Sequence, residues 1–431
     1  MFRRVKPPAR KEEVHFPADL KQLGYFVNEH DQIRSIKNPE QPFKYRVHKV
    51  ERVNERRREA VDECVRRILD ERFAEEGFVK EYFPPGSDPA KDRCVPILVD
   101  GNLESDAVEK VLIVVGNTYD DLGIWSVREM EGPGVNHGSM VSTVQTAKAA
   151  GFHTVILNCG QNVYSPEVGR AVTYRSWRAA THDTPHIDEV LNRIPRNENV
   201  SNHVVNVLDE LKGRILLGGK SKRRAVYFLT YGWGCWAVVK YLNKNFDEWK
   251  DSLEALIAVE SAHTITDITN PALAHFIKTR ARAYIVHADP PGSFIPDRRF
   301  GCQTFSTGEI HSECIIPNHW MSLMLPWLVR VEQDPEGCNP VFAVDWAQVE
   351  KLQEGWGSAD VDGGKQPDED KWSFDDDDDM IGRYEGGDKG VLEEITDLRD
   401  DVKAARAQMK QENIAPGEMT EFGGGKAAPT A

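Results

Sequence analysis

Hydrophobic patterning divides this chain at about Val108. From there on, near-continuous apolar runs alternate with amphipathic stretches: VEKVLIVVG (108–116), FHTVILNC (152–159), RAVYFLT (224–230), LEALIAVES (253–261) and RAYIVHAD (282–289). Short runs this rich in Val, Ile, Leu and Phe are what parallel strands need when both sheet faces are covered. Between them, spacing of three and four predicts helices over 140–150, 201–211, 234–242 and 271–279. Asn270 before Pro271 has the form of an N-cap followed by a first-turn proline. Strand and helix in alternation predict an open α/β sheet with right-handed crossovers, whose ligand sites lie beyond the carboxyl ends of the strands.

Upstream the pattern is different. LGYFVNEHDQIRSI (23–36) predicts two short strands around an Asn-Glu-His-Asp turn. Val53, Val61, Val65, Ile68 and Leu69 predict an amphipathic helix over about 50–73, and residues 84–107 are Pro-, Gly- and Asp-rich and read as a connection. The expected organisation is a disordered basic tail (1–15), an amino-terminal extension (16–107), the α/β core (108–330), a carboxyl-terminal extension (331–355) and a disordered acidic tail (356–431). Within that tail Leu392, Ile395, Leu398, Val402 and Met409 would line one face of a helix over 391–409. Such a helix would dock a partner or form only transiently.

Charge sharpens this division. The formal net charge is −15, and residues 356–431 hold 20 Asp/Glu against 9 Lys/Arg, leaving only −4 for the other 355 residues. By contrast the first eleven residues carry five basic side chains and no acid, and Arg56, Arg57 and Arg58 lie in a row. These are the places where phosphate would be met, although a basic start is also simply a solvated end. Seven scattered cysteines without a CxxC fit a reducing compartment. No signal-like or membrane-length apolar run occurs, so a soluble cytosolic or nuclear protein is expected.

The candidate chemistry centres on RAVYFLTYGWGCWAVVKYL (224–242), a strand, a glycine-rich turn and an apolar helix. This is the layout of the G-x-S-x-G nucleophile elbow, but counting from Thr230 to Gly234 places Gly232 where the serine would stand. Without a nucleophile, acyl transfer by that route has no attacking group. The other parts of a hydrolase site have positional counterparts. Gly116 and Asn117 follow the first core strand, Asp289 follows a late strand, and His311 lies beyond the next. Ser261 and His263, at the end of the intervening strand, would satisfy strand-end backbone groups and form the pocket floor, or would supply a relocated nucleophile. Cys302, His311, Cys314 and His319 have the residue types of a zinc site but match no compact ligand spacing. NHGSM (136–140) has no phosphate-loop or dinucleotide signature around it. Neither metal nor cofactor is expected.

Six segments in order, LGYFVNEHDQIRSI, KVLIVVGNTYDDLGIWS (110–126), AAGFHTVILN (149–158), LTYGWGCWAV (229–238), ALIAVESAH (255–263) and FSTGEIHSE (305–313), resemble the Argonaute-binding family whose fungal member is a subunit of the Argonaute siRNA chaperone complex. The resemblance covers about residues 20–330. It implies an α/β-hydrolase-like fold, a mostly parallel sheet flanked by helices, also found in animal relatives and at the end of some fungal histone deacetylases. Family members often carry A-H-S-Y-G-G at the elbow and His-Gly at the oxyanion loop. This chain has Tyr231, Gly232, Trp233, Gly234 and Cys235 at the first and Val115-Gly116 at the second. The implied role is therefore not enzymatic but that of a nuclear adaptor, with the cytoplasm as a further compartment. It would hold Argonaute together with a second Argonaute-binding subunit, contact siRNA only indirectly, use no small-molecule substrate or membrane, and support RNA interference and heterochromatin gene silencing. The competing readings are a serine-type esterase with a relocated nucleophile and a histone-deacetylase-associated chromatin module. Tyr119 and Trp125, on loops, are the expected contact aromatics, and Trp233 and Trp236 are expected to be buried beside the turn.

Overall fold

The computed structural model describes residues 14–44, 46–180, 187–217, 223–340 and 342. Residues 1–13, most of the carboxyl-terminal extension, the acidic tail and the 391–409 segment lie outside the described residues. Strands follow in chain order as β1 (Tyr25–Val27), β2 (Ile33–Ser35), β3 (Phe78–Phe83), β4 (Val95–Asp100), β5 (Lys110–Val115), β6 (Phe152–Leu157), β7 (Val163–Ser165), β8 (Arg170–Val172), β9 (Ala225–Tyr231), β10 (Leu253–Val259), β11 (Ala281–Ile285), β12 (Phe294–Ile295) and β13 (Gln303–Ser306). β1 with β2, and β7 with β8, form small antiparallel hairpins.

The other nine strands make one sheet in the order β12-β13-β11-β10-β9-β5-β6-β4-β3. All pairings from β6 through β5, β9, β10 and β11 to β13 are parallel, whereas β4 runs antiparallel to both its neighbours and β12 is antiparallel to β13. This is the α/β-hydrolase-like arrangement. After β5 the chain moves outward to β6, then returns to place β9 on the other side of β5. The seam between β5 and β9 is thus the topological switch point, where helices diverge to opposite faces and leave a crevice at the strand ends.

Alternation along each strand explains the two cores. Leu112 and Val114 point to one face, beneath the helices Glu51–Glu75 and Met140–Ala149, while Val111, Ile113 and Val115 point to the other, beneath Val200–Leu216, Trp233–Trp249 and Pro271–Arg280. Both faces are dry, which is why the parallel strands read as unbroken apolar runs. The Asn270 side chain accepts from the amides of Ala272 (2.9 Å) and Leu273 (3.3 Å), the cap expected before Pro271.

The sheet begins earlier than the pattern predicts. β3 and β4 fall in the expected extension and connection, and both join the main sheet. β3 reads FVKEYF with its middle residues at least partly exposed, as an edge strand does, and Pro96 inside β4 disguised its apolar run.

Candidate functional site

The switch point brings Asn117, two residues beyond β5, against Gly232, the residue after β9. Gly232 has φ +56° and ψ −125°, a left-handed turn that reverses the chain into the helix Trp233–Trp249. Only glycine takes this conformation without strain. Gly234 is needed for a different reason. A Cβ there would lie 2.2 Å from the Gly116 carbonyl oxygen, so its absence lets the helix seat directly on the end of β5.

Because Gly232 has no side chain, it cannot cap the helix it starts. Asn117 does so from the neighbouring strand. Its Oδ1 accepts from the Trp233 amide at 3.2 Å and from the Thr118 amide at 2.9 Å. A carbonyl oxygen held by the amide that follows the elbow residue and by an amide from the loop after β5 occupies the place where a hydrolase of this fold would polarise its substrate. A Cβ on Gly232 would approach that Oδ1 to 2.6 Å. The side-chain amide of Asn117 therefore crowds the space beside Gly232 and caps one first-turn amide of the helix.

The acid and histidine positions are also differently engaged. Asp289, exposed beyond β11, has its carboxylate 3.5 Å from His287 Nδ1. His311 is half-buried in the loop after β13, and that loop returns to the elbow one residue on, where Ser312 Oγ lies 3.0 Å from the Tyr231 hydroxyl. Gly116 is buried beneath Met140 and the elbow helix, not open to a ligand.

Ser261 and His263 form a tight pair at the end of β10. Ser261 Oγ is 2.5 Å from His263 Nδ1 and accepts from the His263 amide at 3.1 Å, and His263 Nε2 donates to the Phe300 carbonyl at 3.1 Å. Buried Cys235 lies on the same ring nitrogen, Sγ to Nδ1 3.6 Å. Burial opposes ionisation of both groups, but their mutual attraction wins, so the thiol's pKa is lowered and the imidazole's raised. Glu260, just before Ser261, is left-handed at φ +41° and its carboxylate accepts from the Val286 amide. The sequence did not reveal Cys235 as His263's partner, because the two are joined only across β9 and β10.

The helix Glu51–Glu75 meets the loop after β5 in a charge cluster. Arg66 pairs with Asp121 (2.8 Å), Glu63 (3.0 Å) and Glu59, while Arg58 pairs with Asp62 at 2.8 Å. Burial pushes Asp120 up to about 7 and Asp62 to about 6. Burial works against Asp121 too, yet Arg66 and a 2.6 Å hydrogen bond from Gln161 hold its pKa down.

Other expectations change with the geometry. Trp125 is buried, 1% exposed, with Nε1 donating to Thr143 Oγ1, and is not a contact aromatic, whereas Tyr119 is 55% exposed. Trp233 is 46% exposed, contrary to the expected burial, and packs edge-on against partly buried Trp236. Two of the three arginines serve the fold: Arg57 donates to the Tyr25 hydroxyl and the Lys44 carbonyl, and Arg58 is buried with Asp62. Cys314 is buried, Cys302 is half-buried and His319 pairs with Glu309 at 3.0 Å. Among the described residues no three His, Cys, Asp or Glu side chains are grouped to hold a metal ion, and no helix is long and apolar enough to cross a membrane.

Sheet order and elbow together define an α/β-hydrolase-like protein with glycine at the nucleophile position. The chain belongs to the Arb2 domain family, whose model matches residues 16–291. No curated protein matches it. Among solved structures it is similar to a histone deacetylase from Saccharomyces cerevisiae (10% identity, 63% of this chain and 97% of that one, TM-score 0.38). It is also similar to Est1E from Butyrivibrio proteoclasticus with bound ferulic acid (12%, 59% and 96%, 0.30) and an S-formylglutathione hydrolase from Agrobacterium tumefaciens (13%, 59% and 95%, 0.32).

Proposed function

We propose that this chain is a non-catalytic adaptor that binds Argonaute, with a second Argonaute-binding subunit, in an siRNA chaperone complex serving small-RNA-directed heterochromatin silencing. Membership of the Arb2 domain family supports a role in the Argonaute chaperone complex at the level of the family, and with it a nuclear site of action. The observation that carries the non-catalytic part is the filled elbow: Gly232 offers no nucleophile, and Asn117 Oδ1 takes the two amides an acyl oxygen would need. With those donors already engaged, binding energy at this end of the sheet goes into holding a partner and not into a transition state. Asp289, His311 and Gly116 are then remnants of a scaffold, and siRNA is reached through the partner.

The test is turnover of activated acyl esters by the purified full chain. It is expected to match that of a His311→Ala variant. Turnover that requires His311 would favour a hydrolase.

A second reading rests on the 2.5 Å contact of Ser261 with His263. Here Ser261 Oγ would attack an acyl carbon while His263 Nδ1 takes its proton, and the acyl group's alkoxide would leave. Covalent labelling of Ser261 by a serine-reactive fluorophosphonate, lost in Ser261→Ala, would support this reading. Absence of label at Ser261 removes it.

A further inference from the structure

His263, just beyond β10, holds one proton on a fixed ring nitrogen. The Phe300 carbonyl only accepts, so Nε2 carries a hydrogen and Nδ1 of the neutral ring offers its lone pair. Two groups meet that lone pair, the Ser261 hydroxyl at 2.5 Å and the Cys235 thiol at 3.6 Å. Of the two, only a thiol is acidic enough to hand its proton to an imidazole and stay behind as an anion. Cys235 is also the third residue of the helix Trp233–Trp249, behind the Gly232 N-cap. It therefore sits in the first turn, where the helix dipole favours negative charge.

The other cysteines supply an internal comparison. Burial raises the pKa of the thiols of Cys64, Cys94, Cys159, Cys302, Cys314 and Cys338. Burial works against ionisation at Cys235 too, yet the imidazole beside it brings that pKa down. Exposure ranks the seven differently, since Cys302 is half-buried and the rest are buried. A reagent limited by access meets Cys302 first, whereas one that selects thiolates selects Cys235. Cys235 is 0% exposed, but Ser261, which shares its ring nitrogen, is half-buried and puts one edge of the cluster at the surface. A reagent for this site has to be small.

We propose that Cys235 and His263 form a peroxide-reactive site, at which hydrogen peroxide oxidises the Cys235 thiolate to a sulfenic acid. The thiolate attacks one peroxide oxygen, so that an S–O bond forms as the O–O bond breaks. Sulfur gives up two electrons to the peroxide, and the departing hydroxide takes the proton from His263 Nδ1 and leaves as water. Gly232 has no part in this step, and neither does Argonaute binding.

The test exposes the folded full chain to hydrogen peroxide at neutral pH and stops the reaction with catalase. The chain is then unfolded in excess dimedone, which traps sulfenic acid, and the adducts are mapped by peptide mass spectrometry. Unfolding after the oxidant has gone lets the trap reach a buried sulfur. The adduct is expected at Cys235 about tenfold faster than at any other cysteine, Cys302 included. His263→Gln should remove that lead, and the wild-type chain decides alone if this variant does not fold. Faster reaction at Cys302, equal reaction at all seven cysteines or no adduct at Cys235 would overturn the site. A folded His263→Gln chain that keeps the wild-type rate would do so as well. So would a Cys235 rate that climbs with urea in step with the unfolded fraction, because the thiol would then react only in opened molecules.

Discussion

The ends of β9 and β10 lie side by side in the sheet, yet they keep different halves of a hydrolytic device. At the end of β9 the backbone is preserved, with a left-handed turn, a helix amino terminus and amides facing an oxygen, but the attacking side chain is missing and the oxygen belongs to Asn117. At the end of β10 the side chains are present, a hydroxyl and an imidazole 2.5 Å apart, but the imidazole is also coupled to a buried thiol and tied to the Phe300 carbonyl. The backbone device and the reactive side chains sit one strand apart. The contrast teaches that such a turn has a structural reason of its own, because the glycine at 234 lets the helix seat on the end of β5.

The strongest way to break the comparison is to disturb the packing that the β9 turn secures. Gly234→Ala would drive a methyl into the Gly116 carbonyl at 2.2 Å, with the Val115 carbonyl at 3.0 Å beside it, and should destabilise the chain by about 3 kcal/mol or more in urea unfolding. A small loss would mean that the elbow is not a rigid seat.

Gly232→Ser should cost less, about 1–3 kcal/mol, from its left-handed φ and the approach to Asn117. It should also leave ester turnover at background. Combining it with Asn117→Gly should recover part of the stability, because the clash at 2.6 Å is then gone. Strict additivity of the two changes would show that Asn117 does not occupy the serine's space.

Asn117→Ala alone removes a cap supplied from another strand and is expected to lower stability by about 1 kcal/mol, read as a shift in the denaturation midpoint. Ser261→Ala, at the end of β10, should have a smaller effect, since the His263 ring keeps its bond to Phe300.

Asp120 gives a pH-dependent version of the same test. Its folded pKa, raised by burial to about 7, lies above the ordinary 3.8, so the fold favours its protonated form. The contribution to stability is therefore present at acid pH and lost as pH rises from about 4 through about 7. Asp120→Asn, neutral throughout, should be more stable than wild type by about 1 kcal/mol at pH 8, and the gain should vanish near pH 4. A gain that persists at pH 4 would assign the effect to something other than charge.

How far the sequence could be read depended on whether the controlling contact was local. Parallel strands such as KVLIVV in β5 announced themselves because both faces are buried, and Asn270 and Pro271 marked a helix start within three residues. β3 was hidden because its exposed Val79 and partly exposed Lys80 and Glu81 follow an edge strand's rules, and β4 because Pro96 interrupts it. The elbow was visible as a glycine pattern, and its missing nucleophile with it. The occupant of the hole was not, since Asn117 and Trp233 are 116 residues apart and meet only when β9 returns beside β5. Exposure of individual aromatics was equally hidden. Trp125 and Trp233 both stand beside turns, and only tertiary packing puts one indole against Thr143 and the other in water.

The central claim, that this hydrolase-like scaffold now binds a protein in place of turning over a substrate, is tested most directly by recovering the tagged chain from extracts after exhaustive nuclease treatment and identifying what remains bound. The account predicts Argonaute together with a second Argonaute-binding subunit, retained without RNA because protein surfaces carry the contact. Loss of Argonaute upon nuclease treatment, or recovery of a histone deacetylase with no Argonaute, would contradict it.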